Sequence, residues 1–432
     1  MKRIINYYII SMLLITALLP SCKKDYGSLN SPTLEDYTNA TKDQLDNLVS
    51  GSLSGMRLTE GLYLDAVGVM GREMYRFSNA DPRYTSELLG NLAVNNTGFY
   101  ITNPWAARYR VVKNCNVLID AATNSTFIPD DEKKGYTGFA KTIKAYDLLM
   151  NLNLTYSNGI RVDVSDPNNL GPILSYDESI TAIASLLDEA KSDLSSATVV
   201  FPLTTGFGSL TDAAGLTKFN RALAARVDVY RSQWSTALTD LDASFFNLNG
   251  DFSTGVFEVF GTGTGDQLNS AFFPQNQNGE VCLAHPSYAD DIEDDDDRIG
   301  KATLRTTPVT KDGLTSDRDI WVYTSSTAPI PIIRNEELIL IYAEASIQNE
   351  DFESAVTALN IIRNGHGLDD YSGPQTTDAL INETLTQRRY SLFYEGHRWI
   401  DMRRYNKLSE LPLDREGDQV WSALPIPLTE GE

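Results

Sequence analysis

Two stretches of this 432-residue chain carry one helical pattern at a fixed separation. Leu223 to Leu241 and Ile341 to Leu359 align at a constant offset of 118: Ala225 on Ala343, Val227 on Ala345, Val229 on Ile347, Trp234 on Phe352, Ala237 on Ala355 and Leu241 on Leu359. Apolar residues recurring three and four apart form one buried face of a helix. Each segment reads as a helix, a brief turn and a second helix. The turns are Arg231-Ser232-Gln233 and Asn349-Glu350-Asp351. An aromatic residue follows each turn and fills the gap between the paired helices, and an alanine three residues later lets them approach. Such a pair cannot bury its apolar face alone, so the chain is restricted to stacks of helical pairs.

This is tetratricopeptide-type packing. A second pair is expected at Trp105 to Ala121 and Asp131 to Tyr156, where Phe139, Ile143, Tyr146, Leu149 and Met150 make one stripe. Ile180 to Leu194 and Leu380 to Tyr405 supply further helices. Trp105, Trp234 and Trp399 are assigned to packing. The units are unequally spaced, so the fold expected is mainly α: helical pairs forming a shell that carries long irregular insertions near 55–103, 163–177 and 248–334. Rich in Gly, Asn, Thr and aromatic residues, these insertions are where binding is expected.

The N-terminus reads as an export signal over residues 1–21: Lys2 and Arg3, an apolar run from Ile4 to Leu19, then Leu19-Pro20-Ser21-Cys22. Leu19, Ser21 and Cys22 fit a lipobox, with Pro20 a less usual choice. Cleavage before Cys22 makes that thiol the lipidation site. Each buried methylene of an acyl chain adds ~0.8 kcal/mol of membrane affinity, and several chains anchor stably. The mature chain, 22–432, then needs no membrane segment, and without a Gly, Pro or Ser linker it is expected to be one domain.

A net charge of −22 makes nucleic acid and anionic lipid unsuitable partners. Beyond Cys22 only Cys115 and Cys282 remain, too few for a disulfide framework. Cys115 lies in an apolar helical stretch and reads as a buried free thiol. The densest charge run, Asp290-Asp291 and Glu293 to Asp297, has the hard oxygen ligands that suit Ca²⁺ but not the spacing of an EF-hand. It reads as a solvated loop. His285, His366 and His397 are scattered without metal-ligand spacing, and neither a metal nor a cofactor is expected. There is no phosphate-binding loop, nucleophile elbow, His-Glu-x-x-His or Cys-x-x-Cys. Glycoside hydrolysis needs two carboxylates across a cleft, which sequence spacing does not define. The chain is expected not to be an enzyme.

After the second repeat come Gln387-Arg388-Arg389 and then Phe393-Tyr394-Glu395-Gly396-His397-Arg398-Trp399-Ile400-Asp401-Met402-Arg403-Arg404. Opposite charges three or four apart on a helix can pair along one face, and partly buried Arg–carboxylate forks fix geometry. Glu395, Gly396, Arg398, Asp401 and Arg404 are therefore read as a structural motif. The stretch resembles the SusD/RagB family of outer-membrane nutrient-binding lipoproteins. Ala343-Glu344-Ala345, Asn360-Ile361-Ile362-Arg363, Trp105, Tyr109, Asn114, Asn116, Asp297-Arg298 and Pro425-Ile426-Pro427 also look like that family, although the chain stops at Glu432, sooner than is common there.

The resemblance implies a lipid-anchored outer-membrane protein, facing the cell surface, that captures an oligosaccharide and passes it to a partner TonB-dependent transporter of SusC type. A peptide-capturing member, a surface glycoside hydrolase and a purely structural interaction protein are the alternatives. It also implies that Arg298 pairs with a preceding Asp. Sugars bind by stacking on aromatic faces and by hydrogen bonding to Asn, Asp and Arg. On that chemistry the ligand-binding candidates are Asn79, Arg83, Tyr84, Phe99 and Tyr100 in the first insertion, with Tyr288, Trp321 and Tyr323 in the third. For each ring, packing against the helical shell is the competing role.

Overall fold

A computed structural model describes residues 37–166 and 168–430. The signal expected over 1–21 and the lipidation site Cys22 lie outside the described residues. Helix α1 (Lys42–Met56) starts at a capping box, in which Thr41 Oγ1 accepts from Gln44 N–H and Gln44 Oε1 accepts from Thr41 N–H at 2.9 Å. α2 (Glu60–Met70), β1 (Met74–Phe77) and the single turn α3 (Arg83–Ser86) follow. The first insertion is therefore not irregular throughout. Its residues 61 and 63–70 are buried on every side of α2, which leaves no amphipathic period to read.

The long pair is α4 (Phe99–Asn124) and α5 (Asp130–Thr155), packed against each other and against their neighbours. Glycines set the spacing. A Cβ on Gly55 would lie 2.7 Å from Val111, and one on Gly138 would lie 2.6 Å from Leu194. β2 (Ile160–Arg161) and β3 (Ile173–Leu174) pair antiparallel and close the second insertion at its base. α6 (Tyr176–Leu194) opens on a Ser175/Glu178 capping box.

The repeat is present as a helical pair in each copy. α7 (Ala213–Tyr230) turns into α8 (Trp234–Asp242). Between the copies, the third insertion carries β4 (Gly255–Glu258), β5 (Val281–Ala284), the short α9 (Ser287–Asp291), β6 (Ala302–Lys311), β7 (Leu314–Ile320) and β8 (Ile330–Arg334). The second copy is α10 (Asn335–Gln348) and α11 (Phe352–Gly365). Both turns end their helices identically: Gln233 N–H donates to Asp228 O at 2.8 Å, as Asp351 N–H does to Ser346 O at 2.9 Å. Ser232 and Glu350 hold the left-handed position, with φ of 57° and 63°. Ala237, Leu241, Ala355 and Leu359 are fully buried, whereas Trp234 and Phe352 are half-buried and cap the gap from its rim.

The strands of the third insertion were not expected. β1, β5, β7 and β6 form an antiparallel sheet in the order β1-β5-β7-β6, with Met74 opposite Ala284 and Ala302 opposite Ile320. Asp312 and Gly313, both at positive φ, close the β6–β7 hairpin, an Asp-Gly signal present in the sequence. β4 pairs with β8 in a separate two-stranded ribbon.

The expected helix from Leu380 to Tyr405 is two helices, α12 (Thr377–Ser391) and α13 (Arg398–Arg404). Tyr394 and Gly396, at φ 59° and 85°, turn the chain between them. A Cβ on Gly396 would sit 3.1 Å from the Tyr63 ring, so glycine is required by both conformation and space.

Candidate functional site

The Glu395 motif lies in the interior as an ion-pair lattice. Arg388 Nε donates to Asp401 Oδ2 at 2.7 Å, joining α12 to α13 across the turn. Arg404 donates to Asp401 at 3.0 Å and to Glu344 of α10 at 2.7 Å. Glu395 accepts from Arg334 at 2.9 Å, and Arg226 donates to Glu337 at 2.6 Å. Asp401 and Arg404 pair three residues apart on α13 as expected, while the other pairs bridge elements and do not run along one helix face. Burial alone would raise the Asp401 carboxyl, but Arg388 and Arg404 outweigh it and bring the group to about 2. Burial pushes His397, buried beside this lattice, down to about 4. Arg398 stands apart: it is half-buried, and burial, then Arg389, lower its pKa to about 10.

Four of the seven acids in the run 290–297 are paired. Asp296 takes a fork from Arg298, with Nε to Oδ1 at 2.8 Å and Nη2 to Oδ2 at 2.7 Å, the local pairing the resemblance implied. Glu293 accepts from Arg363, Asp291 from Arg389, and Asp297 meets His366 at 2.8 Å. Cys115 and Cys282 are both free and buried. Trp105 and Trp399 are core residues as assigned.

Burial divides the ligand candidates. Tyr100 is fully buried, its hydroxyl donating to Glu87. Tyr288 donates to Arg298 O at 2.8 Å and packs against Phe393 and Tyr390; Tyr323 donates to Tyr394 O at 3.1 Å. Tyr84 is 7% exposed and wedged beneath Arg76. These four rings have no open face for a sugar, because each hydroxyl or ring is committed to a neighbour in the shell. The structure takes them out of the surface.

Asn79, Arg83, Phe99 and Trp321 remain at the surface or half-buried. The Arg83 guanidinium lies 4.6 Å from the Phe99 ring centroid and forks onto Asp81. Phe99 meets Tyr84 edge-on at 5.3 Å, Tyr84 lies 5.1 Å from the Arg76 guanidinium, and Arg76 covers Phe273 at 4.7 Å. The preceding residue, Phe272, lies 6.2 Å from Trp321. One row of rings and guanidinium groups thus joins the first insertion to the third. The Trp321 indole N–H has no hydrogen-bond partner among the described residues and is available to a ligand.

Carboxylates fix the geometry of the row. Arg76 is held by Asp65 at 3.1 Å and Glu280 at 2.9 Å. Glu280 also accepts from Ser78 Oγ and from the backbone N–H of Asn79, pinning the turn that presents Asn79. Asn79 Oδ1 accepts from Lys311 Nζ at 3.3 Å, across from the β6–β7 hairpin. Exposed amides continue the surface: Gln275 donates to Thr303 Oγ1 and Asn276 accepts from Thr306 N–H. Sequence reasoning missed Arg76, Phe272, Phe273 and Lys311. Phe272-Phe273 beside Pro274 and Gln275 in an otherwise polar insertion was the available signal.

Residues 288–422 match the SusD family model. Over that stretch the chain is similar to the SusD/RagB family. A SusD superfamily protein from Parabacteroides distasonis superposes with TM-score 0.69 at 17% identity, covering 93% of this chain and 97% of that one. Surface glycan-binding protein A from Bacteroides thetaiotaomicron, solved in complex with laminarihexaose, has TM-score 0.70 at 15% identity and covers 90% of this chain and 97% of its own. A SusD-like carbohydrate-binding protein from Bacteroides vulgatus has TM-score 0.63 at 17% identity, covering 85% and 84%. No curated protein matches the chain in sequence. The mainly α fold expected from the repeat, and its SusD-like form implied by the resemblance, are the fold observed. Among the described residues no helix is long and apolar enough to cross a membrane.

Proposed function

We propose that this protein is a lipid-anchored glycan-binding protein of the outer-membrane surface, which captures an oligosaccharide and passes it to a TonB-dependent transporter of SusC type. The observation that carries the reading is the row from Phe99 and Arg83 through Arg76 and Phe273 to Phe272 and Trp321, which joins two insertions on the fold of a laminarihexaose-binding relative. Half-buried rings offer apolar faces at little ordering cost, and Asn79, Gln275, Asn276 and the indole N–H offer hydrogen bonds. The lipobox at Cys22 supports anchoring, and we infer that the helical pairs are the face turned to the transporter.

Binding without hydrolysis is favoured by the carboxylates beside the row. Asp65, Asp81, Glu280 and Asp319 are each paired with an arginine, which ties these four acids into the frame of the row. The test is a titration of the full chain in detergent against plant, host and microbial polysaccharides, with reducing ends assayed in the same tubes. Saturable binding without new reducing ends supports capture. Released ends would establish a hydrolase, and silence across the panel would move the reading to peptides.

A further inference from the structure

A second concavity shares no residue with the ring row. It lies between the loop 205–210 and β4, with Ser253, Thr254 and Pro329 completing it, and encloses about 570 Å³. That is within the range of ~300–1,000 Å³ typical of small-molecule sites. β4 alternates, so Val256 and Glu258 point inward while Phe257 and Val259 are half-buried on the groove side. Phe207, fully buried against Phe219, closes the floor.

The wall is set by backbone approach. A Cβ on Gly206 would lie 2.0 Å from Phe257 O, and one on Gly255 would lie 2.3 Å from Ile333 O, so the loop and both strands can meet only through glycine. At the rim the hydroxyls of Thr205, Ser209 and Thr254 make no hydrogen bond among the described residues. None of the groove's lining side chains is charged, in a chain of net charge −22. A charged ligand would be desolvated here without a counter-charge. An uncharged molecule with one apolar face and a belt of hydroxyls matches floor and rim together.

We propose that this groove is a second binding site and takes a short uncharged saccharide, one sugar face resting on Phe257 and its hydroxyls meeting Thr205, Ser209 and Thr254. The site works independently of the ring row. Saturation-transfer NMR on the full chain tests it, with cellotriose, laminaritriose, maltotriose and mannotriose as probes and trigalacturonic acid and triglycine as competitors. At least one neutral sugar is expected to bind, with affinity reduced tenfold or more in Ser209→Trp, which fills the groove from an exposed position, and also in Thr254→Val. The same affinity should persist in Trp321→Ala. The proposal is overturned if no neutral sugar binds, if Ser209→Trp and Thr254→Val leave binding intact, or if either competitor displaces the sugar. Loss in Trp321→Ala alone would also overturn it, while leaving capture by the ring row standing.

Discussion

Arg388 and Asp401 meet at 2.7 Å in the interior, each belonging to a different helix, with the left-handed Tyr394 and Gly396 in the turn between them. Removing one member of a buried pair strands the other charge, at a cost of about 3–5 kcal/mol. Asp401→Asn should therefore lower the denaturant midpoint sharply at neutral pH. With a folded pKa of about 2 against ~3.9 unfolded, Asp401 stabilises above the unfolded value, and that stability is lost as pH falls from about 4 towards 2. The variant should lack this part of the acid limb.

His397, a base held neutral by burial, moves stability in the same direction from the opposite cause. Burial holds it near 4, against an unfolded value near ~6.5, with Glu337 and Asp401 favouring its charged form and Arg226 and Arg388 opposing it. The unfolded chain then binds the extra proton between these values. Stability from this group is complete above about 6.5 and declines as pH falls to about 4. His397→Phe should flatten that slope, by up to ~3 kcal/mol. Urea melts of both proteins at pH 7 and pH 4.5 read the difference.

Neither oxygen of the buried Glu73 makes a well-formed hydrogen bond, and burial raises its pKa to about 8 against a partial opposing pull from Arg398. A raised carboxyl stabilises while protonated, and its contribution falls as pH climbs from about 4.5 to 8. Glu73→Gln cannot ionise, so it should be more stable than wild type at pH 9, by ~1 kcal/mol or more, and nearly equal at pH 5. Equal melting at both values would contradict the assignment.

Ser232 and Glu350 hold equivalent left-handed positions in the two repeats and are both exposed. Glycine removes the Cβ penalty there. Ser232→Gly and Glu350→Gly should each stabilise by about 0.5–1 kcal/mol, and the Ser235–Asn349 hydrogen bond between the two turns couples the pair in the double variant. Thermal melts of the single and double variants measure this.

On the ring row, Trp321→Ala and Arg83→Ala are expected to weaken glycan affinity tenfold or more without changing the melting temperature by more than a few degrees. Tyr288→Phe should do the reverse. It loses the bond to Arg298 O, costing about 1 kcal/mol, and leaves affinity unchanged. Calorimetry paired with thermal melts separates the two behaviours, and a loss of affinity in Tyr288→Phe would return that ring to the site.

The sequence by itself determined the helical pairs. Helical period, a breaker and a small residue at fixed spacing are local properties, and the 118-residue offset repeats even in the hydrogen bonds of the two turns. It also marked the charged motif around Glu395, though not its partners. Arg334, Glu344 and Glu337 come from elements tens of residues away, and only packing aligns them. The α12–α13 break was hidden because Tyr394 is a poor signal for a left-handed turn.

Only the tertiary structure decided which aromatics face solvent. Tyr84 and Phe99 belong to one insertion and are both large and aromatic, yet one is wedged beneath Arg76 and the other carries Arg83 at the surface. Arg76 is hidden in sequence because its role depends on the β1–β5 register that sets it beside Glu280 and Phe273. Exposure is a property of what packs against a residue from far along the chain. A pattern of neighbours in sequence fixes the helix, while a pattern of neighbours in space fixes the site.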